Sequence, residues 1–214
     1  YASDVTVNST VDAGGLAALV EEGTLALSYV DDVTVNAVEV AGGLLADLKG
    51  SAGQCYAINS TITSGATFVS GINGSSAGGL IGVIGEEGVL VSSYTDSVTV
   101  SANASAGGVI GVANASDPSA ASISQSYAIN PTVTVTAFGA VNSLDSGGFI
   151  GAVYKDYSTT PDLSASISDS FVIGGTVTGI ATASTVYGGV GGFVGNHNGE
   201  GVANGKIDRA YVYG

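Results

Sequence analysis

Positive charge is nearly absent from this chain. Of 214 residues only Lys49, Lys155, Lys206 and Arg209 are basic, against 18 Asp and Glu, for a formal net charge of −14. Nothing here neutralises a run of phosphates, which excludes nucleic-acid binding, and anionic membrane surfaces repel such a chain. Charge of either sign is scarce: 10% of residues are charged, where soluble domains carry about a quarter. There is no Met and no Trp, and Pro occurs three times. The single cysteine, Cys55, excludes an intramolecular disulfide, and no CxxC or Cys/His zinc spacing occurs. No apolar run is long enough to span a membrane, so membrane insertion is not expected. The chain shows no signal peptide and begins at Tyr1 rather than Met, which points to a processed or trimmed product.

Glycine is plentiful, at 34 residues, and the hydrophobic fraction of 45% rules out a charged disordered chain. Internal repeats organise the sequence. An aromatic recurs at Tyr1, Tyr29, Tyr56, Tyr94, Tyr127, Phe171 and Tyr211. Between each pair lies a double glycine: Gly14-Gly15, Gly42-Gly43, Gly78-Gly79, Gly107-Gly108, Gly147-Gly148 and Gly191-Gly192. Five positions after the aromatic stands Thr6, Thr34, Thr61, Thr99, Thr132 or Thr176, followed by Val7, Val35, Ile62, Val100, Val133 or Val177. Just before the next aromatic come Ser28, Cys55, Ser93, Ser126, Ser170 and Ala210. These ladders divide one domain, 1–214, into units 1–28, 29–55, 56–93, 94–126, 127–170 and 171–210, with a seventh beginning at 211–214.

Around each Thr the pattern alternates polar and apolar, as in Thr132-Val133-Thr134-Val135, which is strand periodicity. The runs after the double glycines, such as Leu80 to Ile84, are continuously apolar and fit strands buried within. No segment keeps a capped helical period. The fold expected is all-β: a parallel β-helix, or β-solenoid, of about six coils with right-handed winding. Two or three short strands per coil should stack about 4.8 Å apart along the axis. The extra residues of longer units are expected at corners, around Gly65 to Ser76, Asn114 to Ala121 and Tyr154 to Leu163.

Three of these units carry a recognisable motif. Gly78-Gly79-Leu80-Ile81-Gly82 followed by Ser93-Tyr94, Gly147-Gly148-Phe149-Ile150-Gly151 followed by Ser170-Phe171, and Gly191-Gly192-Phe193-Val194-Gly195 followed by Ala210-Tyr211 resemble the GLUG motif. The match is loosest in the first two units, where Ala17-Ala18 and Leu45-Ala46 lack the following glycine. The resemblance implies a secreted bacterial surface protein with adhesin-like β-helix repeats. It implies no substrate and no catalytic residue.

Few residues suggest chemistry. His197, in a glycine- and asparagine-rich stretch, reads as an exposed corner residue, and Cys55, in a column of Ser and Ala, as a small buried one. Asp4, Asp31 and Asp32 could form the carboxylate pair of a β-helix glycosidase. Equivalent places hold Asn59, Ser97, Asn130 and Gly174, however, and that is turn chemistry. Glu21, Glu22, Glu86 and Glu87 share one corner with Lys49 between them, which reads as a charge ladder or a weak Ca²⁺ site. No other cofactor is implied. Asn8, Asn59, Asn73, Asn103 and Asn114 are sequon asparagines and candidate glycosylation sites. Tyr154, Tyr157 and Tyr187 could stack on sugars.

The composite expectation is an extracellular or cell-surface structural or adhesive module, a stalk or filament subunit, and not an enzyme. It starts and stops at the same ladder position without an amphipathic cap. The expected partners are therefore flanking domains of a larger protein or copies of itself stacked head to tail. Surface glycans are a further expected partner. The alternative is a glycan- or ice-binding module using the Thr face, against which the unequal unit lengths argue because they should spoil a long flat array.

Overall fold

The computed structural model describes residues 1–65, 75–85, 87–115, 121–137, 143–155, 165–182, 186–197 and 207–214, leaving aside the side chains of residues 114, 115, 154, 155 and 187. Among the described residues there is no helix; every regular element is a short strand. The second coil shows the plan: Tyr29–Asp31, Thr34–Ala37, Val40–Gly42, Leu45–Leu48 and Ser51–Gly53. Each strand pairs in parallel with its equivalents one unit earlier and later. Five parallel sheets result, here called the aromatic, threonine, glycine, apolar and lead-in sheets in chain order. The aromatic sheet has seven strands and the others six. The chain is thus a parallel β-solenoid.

Five strands per coil replace the two or three expected. The reason is the nature of the corners. Two residues before each aromatic, Leu27, Gln54, Ser92, Gln125, Asp169 and Arg209 adopt φ of 50–54°. Three residues after it, Asp4, Asp32, Asn59, Ser97, Asn130 and Gly174 adopt φ of 47–63°. One left-handed residue turns the strand, so no Gly-Pro cluster marks the break. For residues other than glycine this conformation costs about 1–2 kcal/mol each. Interlocking coils hold it: the Asp32 N–H donates to the Ile58 carbonyl at 3.2 Å and the Asn59 N–H to the Asp96 carbonyl at 3.0 Å.

The interior is a bundle of columns. Val35, Ile62, Val100 and Val133 are buried beneath the threonine sheet, and Ala52, Leu90, Ile123 and Ile167 beneath the lead-in sheet. Leu44, Leu80, Val109 and Phe149 fill the space between, and Phe149 stacks on Phe193 with ring centroids 4.8 Å apart. The double glycines are there for space. A Cβ on Gly79 would overlap the Gly108 carbonyl oxygen and lie 2.9 Å from Val98 Cγ2. A Cβ on Gly78 would overlap the Ile81 carbonyl oxygen and lie 2.7 Å from the Gly111 nitrogen. Here backbone lies on backbone, and only hydrogen fits between.

Candidate functional site

The outer surface is built from columns that repeat with the coils. The aromatic column is a continuous stack. Successive rings from Tyr1 to Tyr211 lie 4.7–5.1 Å apart, with interplanar angles of 1–13°. Burial, and then the neighbouring phenols Tyr56 and Tyr127, hold the Tyr94 hydroxyl above the usual tyrosine range. Tyr29 is raised in the same way.

The threonine column runs beside it. Thr6, Thr34, Thr61, Thr99, Thr132 and Thr176 pair one above another without a register break. Two residues further along each strand lies a second column: Asn8, Asn36, Thr63, Ser101, Thr134 and Thr178. Asn36 Nδ2 donates to Asn8 Oδ1 at 2.9 Å, so this column is tied between coils. The inward side chains alternate with these in the core, which leaves the hydroxyls outward.

The unequal unit lengths do not disturb this surface, contrary to the expectation from sequence. Thr24 and Thr34, Ser51 and Thr61, Val89 and Thr99, Ser122 and Thr132, and Ser166 and Thr176 are each ten positions apart across the lead-in, aromatic and threonine strands. The variation falls elsewhere. Between threonine and glycine strands it separates Ser64 from Ser76 but only Ala37 from Val40. Between apolar and lead-in strands it separates Lys155 from Ser166 but only Leu48 from Ser51.

The column before the aromatics is buried and polar. Ser93 Oγ donates to the Val91 carbonyl at 2.9 Å and accepts from the Cys55 N–H at 3.1 Å. Ser126 repeats this with Ser124 and the Ser93 N–H. Each hydroxyl thus satisfies an amide that the corner leaves without a carbonyl partner. Cys55 sits fully buried in the same column, its Sγ 3.3 Å from the Gly53 carbonyl oxygen, and burial pushes the thiol up. That environment disfavours the thiolate and its reactivity.

Other candidates are dispersed. Asp4 and Asp32 are left-handed corner residues; Asp4 accepts from Ser3 Oγ at 2.8 Å, and Asp31 accepts from Asn59 Nδ2 at 3.2 Å. These contacts are turn and ladder contacts. His197 ends a strand, Val194–His197, rather than a loop, and is exposed. Glu21, Glu22, Lys49 and Glu87 are exposed between apolar and lead-in strands, while Glu86 lies outside the described residues. Among the described residues no group of three or more His, Cys, Asp or Glu is placed to hold a metal ion. Asn8 is exposed, Asn59 is an exposed corner and Asn103 is half-buried. Asn73 and Tyr157, and the side chains of Asn114, Tyr154 and Tyr187, lie outside the described set.

Sequence reasoning missed one fully buried carboxylate and one half-buried one. Asp145 is fully buried between Ser105 and Gly189 of the neighbouring coils. Asp47 is held above the usual carboxylate range by burial, although nearby Lys49 opposes the shift. Asp145 stands at a strand position filled elsewhere by small or apolar residues, and Asp47 at one filled by Leu19, Val83, Val112, Ala152 and Asn196, so no repeated acidic column marks them. A cleft of about 340 Å³ beside the last strands is lined by glycine and valine, such as Gly175, Val177, Gly192 and Val212, together with Tyr213, and no Asp, Glu, His, Cys, Ser or Lys side chain lines it. No family model, curated protein or solved structure matches the chain.

Proposed function

We propose that this chain is an extracellular or cell-surface structural or adhesive repeat module, either a stalk or the subunit of a head-to-tail filament, and not an enzyme. Its partners are copies of itself or flanking domains joined through the solenoid ends, and surface glycans. It works without a cofactor. The observation that carries this reading is the unbroken register of its ladders. Aromatic, threonine and serine columns pass from coil to coil, so each coil templates the next and the molecule extends by repetition. Spacing a surface or building a filament needs that continuity. Catalysis needs a cluster of unlike groups at one place, and here each chemical type is spread along the axis. The GLUG-like motifs support the same reading. Electron microscopy of the purified protein, with adhesion of beads coated in it to cells, tests this. Rods or filaments and coat-dependent adhesion are the expected results. Compact particles with no adhesion would overturn it.

A further inference from the structure

Outward positions on an exposed strand ordinarily take a mixture of charged and polar side chains. The threonine sheet does not. Its two outward columns contain only Thr, Asn and Ser over six strands. This occurs in a chain whose net charge is −14, and carboxylates crowd the adjoining corner at Asp4, Asp31, Asp32 and Asp96. The face is charge-free while its border is acidic.

Its geometry is equally restricted. Neighbouring strands are about 4.8 Å apart and alternate residues along a strand about 6.6 Å apart, so the hydroxyls, with the amides of Asn8 and Asn36, form a two-dimensional grid. The threonines are β-branched and stiff at χ1, so little side-chain freedom is lost when a ligand settles on them. The adjoining aromatic rings stay within 1–13° of parallel from coil to coil. All length variation is displaced to junctions outside the lead-in, aromatic and threonine block.

We infer that the threonine face is a docking surface for ice. Ice is neutral, flat and periodic, and the grid repeats lie close to oxygen spacings on its crystal faces. Threonine methyls exclude loose water while the hydroxyls take lattice positions. A charged side chain would hold its own hydration shell in place of the lattice, which accounts for the absence of charge. A glycan fits less well. Sugars stack on open ring faces, and the aromatic column closes its faces on itself at 4.7–5.1 Å.

The inference goes beyond the structural role and is tested separately. Purified protein is partitioned into slowly growing ice and assayed for crystal shaping, alongside a Thr99→Lys/Thr132→Lys variant and a Ser122→Lys/Gln125→Lys control on exposed positions of another face. Wild type and control should enter the ice equally. The face variant should fall by about tenfold or more, because a lysine ammonium finds no partner in the lattice. Circular dichroism and melting verify that the variants fold, and Thr99→Ala/Thr132→Ala serves if lysine prevents folding, with a smaller loss expected. Exclusion of wild-type protein from ice, or undiminished partitioning of the folded face variants, overturns the inference. Binding to crystalline cellulose or chitin with none to ice overturns it too. Rods that adhere to cells but ignore ice overturn this inference alone.

Discussion

A hydroxyl inside this protein does the work that a backbone carbonyl does elsewhere. Ser93 Oγ is the acceptor for the buried Cys55 amide, so Ser93→Ala should cost about 1–3 kcal/mol, the penalty of an orphaned buried donor. Chemical denaturation at constant m-value measures it, and Ser93→Cys should restore part of the loss, since the column already accepts a thiol at Cys55. Glycine acts by its missing atom. Gly79→Ala drives a Cβ into the Gly108 carbonyl, and should cost more than about 4 kcal/mol or abolish folding. A Cβ added at Gly65 would meet nothing within 4 Å, and the φ there is unexceptional, so Gly65→Ala should stay within about 0.5 kcal/mol of wild type. Thermal melts of the two variants separate crowding from mere glycine content. The sequence shows the serine and glycine columns plainly, but it cannot show that one serves an amide and the other a backbone contact.

At the scale of the element, the aromatic ladder couples its members. Each stacked pair contributes about 0.5–1.5 kcal/mol beyond burial, and every internal ring belongs to two pairs. The phenols of Tyr29 and Tyr94 sit above their ordinary range through burial and neighbouring tyrosines. A raised folded pKa means that the phenol's contribution to stability is complete below its unfolded value, about 10, and is lost as pH rises through the folded one. Stability should therefore fall as pH rises above about 10. Absorbance at 295 nm during a pH titration should show late ionisation of these phenols in the folded protein, and titration at the ordinary value would contradict the stack. The recurrence of the aromatic is visible in the sequence. Its closure into a face-to-face column follows from parallel, in-register pairing at strand spacing.

The whole molecule is governed by like charge. At a formal −14 with four cations, the compact state carries self-repulsion that salt screens. The melting temperature should rise between low and physiological ionic strength, as followed by calorimetry, and a fall would show that attractive pairs dominate. Arg209, held by Asp169 of the neighbouring coil and by Asp208, forms an exposed charge network, so it gives little against that trend. Stability should also be close to a sum over coils and their interfaces.

The solenoid was already dictated by the amino-acid order. Equivalent residues of a parallel stack sit on one another, so each column must suit a single environment, and Thr, β-branched, Ser, aromatic and Gly-Gly ladders follow at fixed offsets. The number of strands per coil emerged only on folding, because one left-handed residue turns the chain at Leu27, Gln54 or Arg209 as well as at Asp or Asn and leaves no compositional mark. Folding also selected which surface stays regular. Unit lengths count residues without saying where they go, and the folded chain places the surplus at two junctions, keeping the threonine face in register from Thr6 to Thr176.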